Sequence, residues 1–109
     1  TLFPDDPPRF LARTPHGHAD ADALARDLAA GGFTGPPRFE VVTRRSRAAR
    51  AADPAIAYCQ GTPLRNEIEA RDARGLDVAT AVATQALAAR FGEGPVDGRI
   101  QALVVAVER

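Results

Sequence analysis

The closing stretch GRIQALVVAVER constrains the fold more than any other part of the chain. From Ile100 to Val107 the alternating positions are apolar on both sides: Ile100, Ala102, Val104 and Ala106 on one, Leu103, Val105 and Val107 on the other. Only Gln101 interrupts. A half-buried strand carries apolar residues at every second position. A run that is apolar on both faces predicts a central strand, covered above and below and hydrogen-bonded along both edges. Such a strand needs two neighbours.

One candidate neighbour is RFEVVTRR, residues 38–45. Phe39, Val41 and Thr43 point one way and Glu40, Val42 and Arg44 the other, the pattern of an edge or half-exposed strand. It is preceded by DADALARDLAAGGF, a helix with Asp20 as N-cap, Leu24 and Leu28 on one face, and Gly31–Gly32 as the C-cap before Phe33. The leading segment, residues 1–17, holds four prolines and no sustained period, and reads as irregular. Between the two strands lies a helical insertion, residues 46–91. Asp53–Pro54 opens its first helix, Thr62–Pro63 its second, and Gly75 precedes a third with the stripe Leu76, Ala79, Ala83, Leu87 and Phe91. The order is helix, strand, three helices, strand. Two strands cannot satisfy a doubly apolar partner, so at least one strand must come from elsewhere.

A chain of 109 residues supports one domain with a modest core, or a piece of a larger one. Its 14 basic residues, all arginine, balance 14 acidic ones, which argues against a nucleic-acid footprint. The one cysteine, Cys59, excludes an internal disulfide and suits a reducing compartment. No apolar run approaches the roughly 20 residues of a membrane helix, and no signal peptide is visible. The expectation is a soluble, cytoplasmic protein without membrane or nucleic-acid partners. The start at Thr1, without an initiator Met, reads as the edge of a processed or truncated product.

Chemistry-bearing side chains are sparse. His16 and His18 flank Gly17 before the first helix, where they either contact a ligand or serve as solvated or helix-capping groups. With no further histidine, a zinc site lacks recognisable spacing. AYCQGTPLRNE is the densest cluster: Tyr58, Cys59, Gln60, Arg65, Asn66 and Glu67 bracket a Gly-Thr-Pro break. Such a break either presents polar groups to one cavity, with Arg65 available to a carboxylate or phosphate, or is a packed helix-turn-helix. Nothing nearby lowers the pKa of Cys59 enough to make it a nucleophile. Arg65 with Glu69, and Glu67 with Arg71, have the i, i+4 spacing of a solvated salt-bridged face. The Gly31–Gly32 pair follows a helix where a nucleotide cradle precedes one. No catalytic residue emerges.

The stretch PHGHADADALARDLAAGGFTGPPRFEVVTRRSR resembles the segment after the fifth strand of class I S-adenosylmethionine-dependent methyltransferases, particularly the ubiquinone/menaquinone-biosynthesis-like group. The resemblance rests on His16 or His18, Asp20, Leu24, Leu28, Gly31, Gly32 and Phe33, followed by Phe39 to Arg44. GRIQALVVAVER is similar to the family's seventh strand, which lies antiparallel between the fifth and sixth. The resemblance implies an α/β protein, α+β as an isolated piece: the carboxy-terminal portion of a Rossmann-like fold whose cofactor-binding half lies upstream. It implies methyl transfer to a small-molecule acceptor by a parent enzyme using S-adenosylmethionine, with no cofactor bound by this chain alone. Candidate acceptor contacts are His16, His18, Tyr58, Gln60 and Arg65. The final strand, Ile100 to Val107, is expected either to pair with the missing half or to self-associate into a dimer. The alternative from another class is a small, self-standing α+β dimeric interaction module without catalysis.

Overall fold

A computed structural model describes residues 2–109; Thr1, with which the leading segment begins, lies outside them. Over the described residues the chain is α+β, with five helices and one two-stranded antiparallel sheet. The order is α1 (Phe10–Arg13), α2 (Ala21–Ala30), β1 (Arg38–Ala48), α3 (Ala52–Gln60), α4 (Leu64–Arg71), α5 (Leu76–Phe91) and β2 (Val96–Ala106). Strands β1 and β2 pair along their whole length, from Arg38 opposite Ala106 to Ala48 opposite Val96. With 11 residues each, they form a ribbon about 36 Å long. Helices α3, α4 and α5 hang from its base, and α2 precedes β1 at the far end.

Local chemistry accounts for most boundaries. The Asp20 carboxylate accepts from the backbone N–H groups of Asp22 (2.9 Å) and Ala23 (3.3 Å), capping α2. At the other end Gly32 N–H donates to Ala29 and Phe33 N–H to Leu28, with Gly32 at φ +92°, a left-handed position that a Cβ disfavours. Gly61 closes α3, where an added Cβ would lie 2.7 Å from the Ala57 carbonyl oxygen. The Thr62 hydroxyl then donates to the Tyr58 carbonyl (2.6 Å) and accepts from Leu64 N–H (3.2 Å), closing one helix and opening the next.

Several boundaries differ from the expectation. The leading segment is not wholly irregular, because Phe10–Arg13 forms one helical turn. That turn packs on the helical unit, with Phe3, Phe10 and Leu11 against the core of Cys59, Leu64 and Ile68. Strand β1 runs three residues past Arg45 into the expected helical insertion, since Ser46, Arg47 and Ala48 face Gly98, Asp97 and Val96 across the ladder. Strand β2 accordingly begins at Val96 and ends at Ala106. Asp53 is not the cap of α3, which begins at Ala52; its carboxylate instead accepts from the Arg50 backbone N–H (3.1 Å) and guanidinium (2.8 Å), clamping the turn out of β1.

The larger difference concerns cover. Strand β2 is bonded to β1 on one edge and to nothing on the other among the described residues. Ile100 is 50% exposed, Val104 46% and, across the ladder, Val41 58%. Only the base of the ribbon is sealed: Val96 is buried and the Phe91 ring lies close to Gly98. The Cα radius of gyration is 17.6 Å, against about 13 Å for a compact chain of this length. The accessible surface of 7924 Å² likewise exceeds the roughly 5,800 Å² expected of a compact 11.5 kDa chain.

Stability is therefore concentrated in the helical unit. Replacing Ile68, 3% exposed in its core, with alanine should lower unfolding stability by about 2–4 kcal/mol. Val41→Ala on the bare ribbon should change it by less than about 0.5 kcal/mol. Urea denaturation of the two variants checks the contrast.

Candidate functional site

Two kinds of surface are candidates: the polar side chains around the Gly-Thr-Pro break, and the bare sheet with its open edge. The break joins α3 to α4, and its polar groups are largely spent on holding helices together. Gln60 Nε2 donates to the Thr80 hydroxyl on α5 (3.1 Å), which itself donates to the Leu76 carbonyl (2.8 Å). Cys59 is buried against Leu64 and Ile68. Burial pushes its thiol above the ordinary cysteine range, while the Thr80 hydroxyl acts in the opposite direction. A protonated, enclosed thiol is a packing group.

Arg65 pairs with Glu69 along the exposed face of α4 (Nε to Oε1, 2.9 Å), the i, i+4 geometry of a solvated ion pair. Glu67 takes the guanidinium of Arg13 and lies 3.9 Å from Arg71. Arg71 is the better-buried tie: it donates to the Glu67 carbonyl (2.8 Å) and to the backbone (2.6 Å) and carboxylate of Asp6, stapling the leading segment to α4. Asn66 is exposed.

Tyr58 is exposed and lines a shallow cleft of about 350 Å³ with Ser46, Arg47, Ala48, Asp53, Pro54 and Ala57. None of the other four candidate residues borders that cleft. His18 turns to α2, its Nε2 3.2 Å from Asp27 Oδ2, and His16 is exposed in the same loop. The structure thus brings Gln60 and Cys59 to the α3–α5 seam, Arg65 to an outer helix face, and His18 to α2, while the His16 backbone N–H donates to Leu11 of α1. The five do not share one cleft. No group of three His, Cys, Asp or Glu side chains among the described residues is arranged to hold a metal ion. No helix among them is long and apolar enough to cross a membrane.

The bare sheet is better defined. Its two strands are chemically unlike. β1 carries Arg38, Glu40, Arg44, Arg45 and Arg47, whereas β2 has no charge after Arg99. Charged side chains along an exposed strand are the usual protection against unwanted pairing, and β2 lacks them. Near the base, Arg45 stands opposite Arg99, a like-charge pair that costs stability. Asp97 offsets it, holding Arg45 Nε at 2.8 Å and Arg47 Nε at 3.5 Å. Those guanidiniums keep the Asp97 carboxyl below its usual range.

Further along, apolar side chains occupy both sides of the ribbon. Phe39, Val41, Leu103 and Val105 share one face; Val42, Ile100, Ala102 and Val104 share the other with Arg38, Glu40 and Arg44. Two contributors escaped the sequence reading. Phe39 and Val41 become part of the patch only once the register sets them opposite Val105 and Leu103. Helix α5 also presents Val78 and Val82 outward. Its signal was in the sequence: Asp77 and Arg90 are its only charges in 16 residues, too few for a helix solvated along one side. Comparison with protein-family models, with curated proteins and with solved structures found no match to the chain.

Burial of the thiol has a pH consequence. A folded-state pKa raised above the unfolded value gives stability that is complete below about pH 8.5 and is lost as pH rises through the folded value. Unfolding stability should therefore decline on the alkaline side, and Cys59→Ala should flatten that decline. Denaturant titrations between neutral and alkaline pH measure it.

Proposed function

We propose that the chain is the carboxy-terminal part of a class I S-adenosylmethionine-dependent methyltransferase that acts on a small-molecule acceptor in the cytoplasm. The observation that carries the reading is the state of β2. It is apolar on both faces, antiparallel to a charged neighbour, and open along its other edge. In the family it resembles, β1 would correspond to the sixth strand and β2 to the seventh, with the fifth strand on the edge that is open here. The bare faces of the ribbon and the outer side of α5 would then meet the rest of a Rossmann-like sheet and its helices.

The residues of this chain do not fit the cofactor itself. Its Gly31–Gly32 pair closes the carboxy-terminal end of α2, where carbonyl groups point outward, and Gly61 and Gly92 likewise follow helices. The reading assigns the cofactor cradle to polypeptide outside this chain and no catalytic residue within it. Methyl transfer depends mainly on alignment of acceptor and donor. The contribution sought from these residues is acceptor binding, with Tyr58 beside its cleft the best placed; His16, His18, Gln60 and Arg65 remain assigned to the same role on the resemblance alone.

The charge asymmetry of the strands favours a second reading, a small α+β interaction module without catalysis. Five charged side chains on β1 would limit a sheet that grows only through β2.

Calorimetric titration separates the two. The 109-residue chain should not bind S-adenosylmethionine at micromolar concentration, and a polypeptide joining it to the segment encoded upstream should. Absence of binding by the joined polypeptide would sink the methyltransferase reading. Within an active joined enzyme, Tyr58→Ala should lower turnover at subsaturating acceptor by roughly tenfold or more and leave cofactor affinity unchanged.

A further inference from the structure

We infer that the open edge of β2 is a docking strand for a second copy of this chain, producing a four-stranded antiparallel sheet in the order β1-β2-β2-β1 about a two-fold axis. The inference rests on the interaction-module reading. It concerns the chain of 109 residues, in which no parent strand competes for the edge.

Three observations select this occupant. The first is the direction of apolarity. A two-fold axis normal to the sheet runs the two β2 strands antiparallel and keeps equivalent side chains on the same side. The row of Phe39, Val41, Leu103 and Val105 then continues into its copy on one face; on the other, Ile100, Ala102 and Val104 meet their copies while Arg38, Glu40 and Arg44 stay on the outer strands. Beyond Arg99 the strand carries no charge that could meet a like charge across the new ladder.

The second is that the assembly stops by itself. Its outer strands are the two copies of β1, each bearing Arg38, Glu40, Arg44, Arg45 and Arg47. A charged edge resists further pairing, so the sheet closes at four strands and does not grow into a fibre.

The third is area. The chain exposes 7924 Å², about 2,100 Å² more than the roughly 5,800 Å² of a compact chain of its mass. A standard stable interface takes about 800 Å² from each partner. The excess is larger than that amount.

Sedimentation equilibrium of the chain, beside Leu103→Lys and Val41→Lys, tests the inference. At about 50 µM the chain should be mainly dimeric. Leu103→Lys, opposite Val41 on the face of Phe39 and Val105, places two cations in the joined apolar row and should raise the dimer dissociation constant on the order of 100-fold. Val41→Lys, one strand removed from the junction, should change it by less than about threefold. Protection of the buried Cys59 thiol from alkylation reports in every sample that the helical unit is folded. A folded monomer, or a dimer indifferent to Leu103→Lys, overturns the inference and leaves the module reading in place. An unprotected Cys59 in the unmutated chain overturns both, because a self-standing module must fold alone.

Discussion

The antiparallel ladder between β1 and β2 is the interaction on which the rest of this structure depends. Its partners are 48 to 68 positions apart in sequence, from Ala48 with Val96 to Arg38 with Ala106. Closing that loop costs chain entropy that a bare two-stranded ribbon does not recover by itself. The helical unit reduces the cost. It packs α3 against α5 and thereby brings the exits of β1 and the entrance of β2 side by side, where Ala51 and Val96 are buried. From that anchored base the ladder extends outward one pair at a time.

The helical unit manages this with a small core. Cys59, Leu64 and Ile68 form its centre, and no large side chain among the described residues is completely buried. Polar ties make up part of the difference. Gln60 and Thr80 bridge α3 to α5, and Arg71 holds the leading segment so that Phe3, Phe10 and Leu11 can cover the core. These ties also explain why the richest polar stretch of the chain makes no enclosed site. Gln60, Arg65 and Glu67 are tied to Thr80, Glu69 and Arg13, so the cluster that reads as a candidate binding cavity in one dimension serves largely as a clasp in three.

Much of the architecture was legible because it is local. The α2 caps at Asp20, Gly31 and Gly32 depend on a few adjacent residues, as does the break at Gly61–Thr62. The alternation of Phe39 to Arg44 and the doubly apolar run after Arg99 set strand character and facing. Less legible were the features that need a partner distant in sequence. The extension of β1 through Ala48 requires Val96 opposite, and the helical turn at Phe10 requires the core beneath it. The displacement of Asp53 from cap to clamp follows from Arg50, whose guanidinium competes for the carboxylate. Among the candidate site residues, the i, i+4 spacing of Arg65 and Glu69 correctly foretold an ion pair, but nothing in spacing placed His18 beside Asp27.

By itself the sequence determined the four longer helices and the two strands, though not their full extent, that β1 is a charged strand, and that β2 is apolar on both faces after Arg99. Those are properties of side-chain periodicity, which a single strand carries whether or not its neighbours are present. The tertiary structure alone decided which of those demands are met. It pairs one edge of β2, seals the ribbon only at Val96, and leaves Ile100 and Val104 half exposed. Periodicity specifies what a surface requires, and only the arrangement of the whole chain fixes how much apolar area 109 residues can cover.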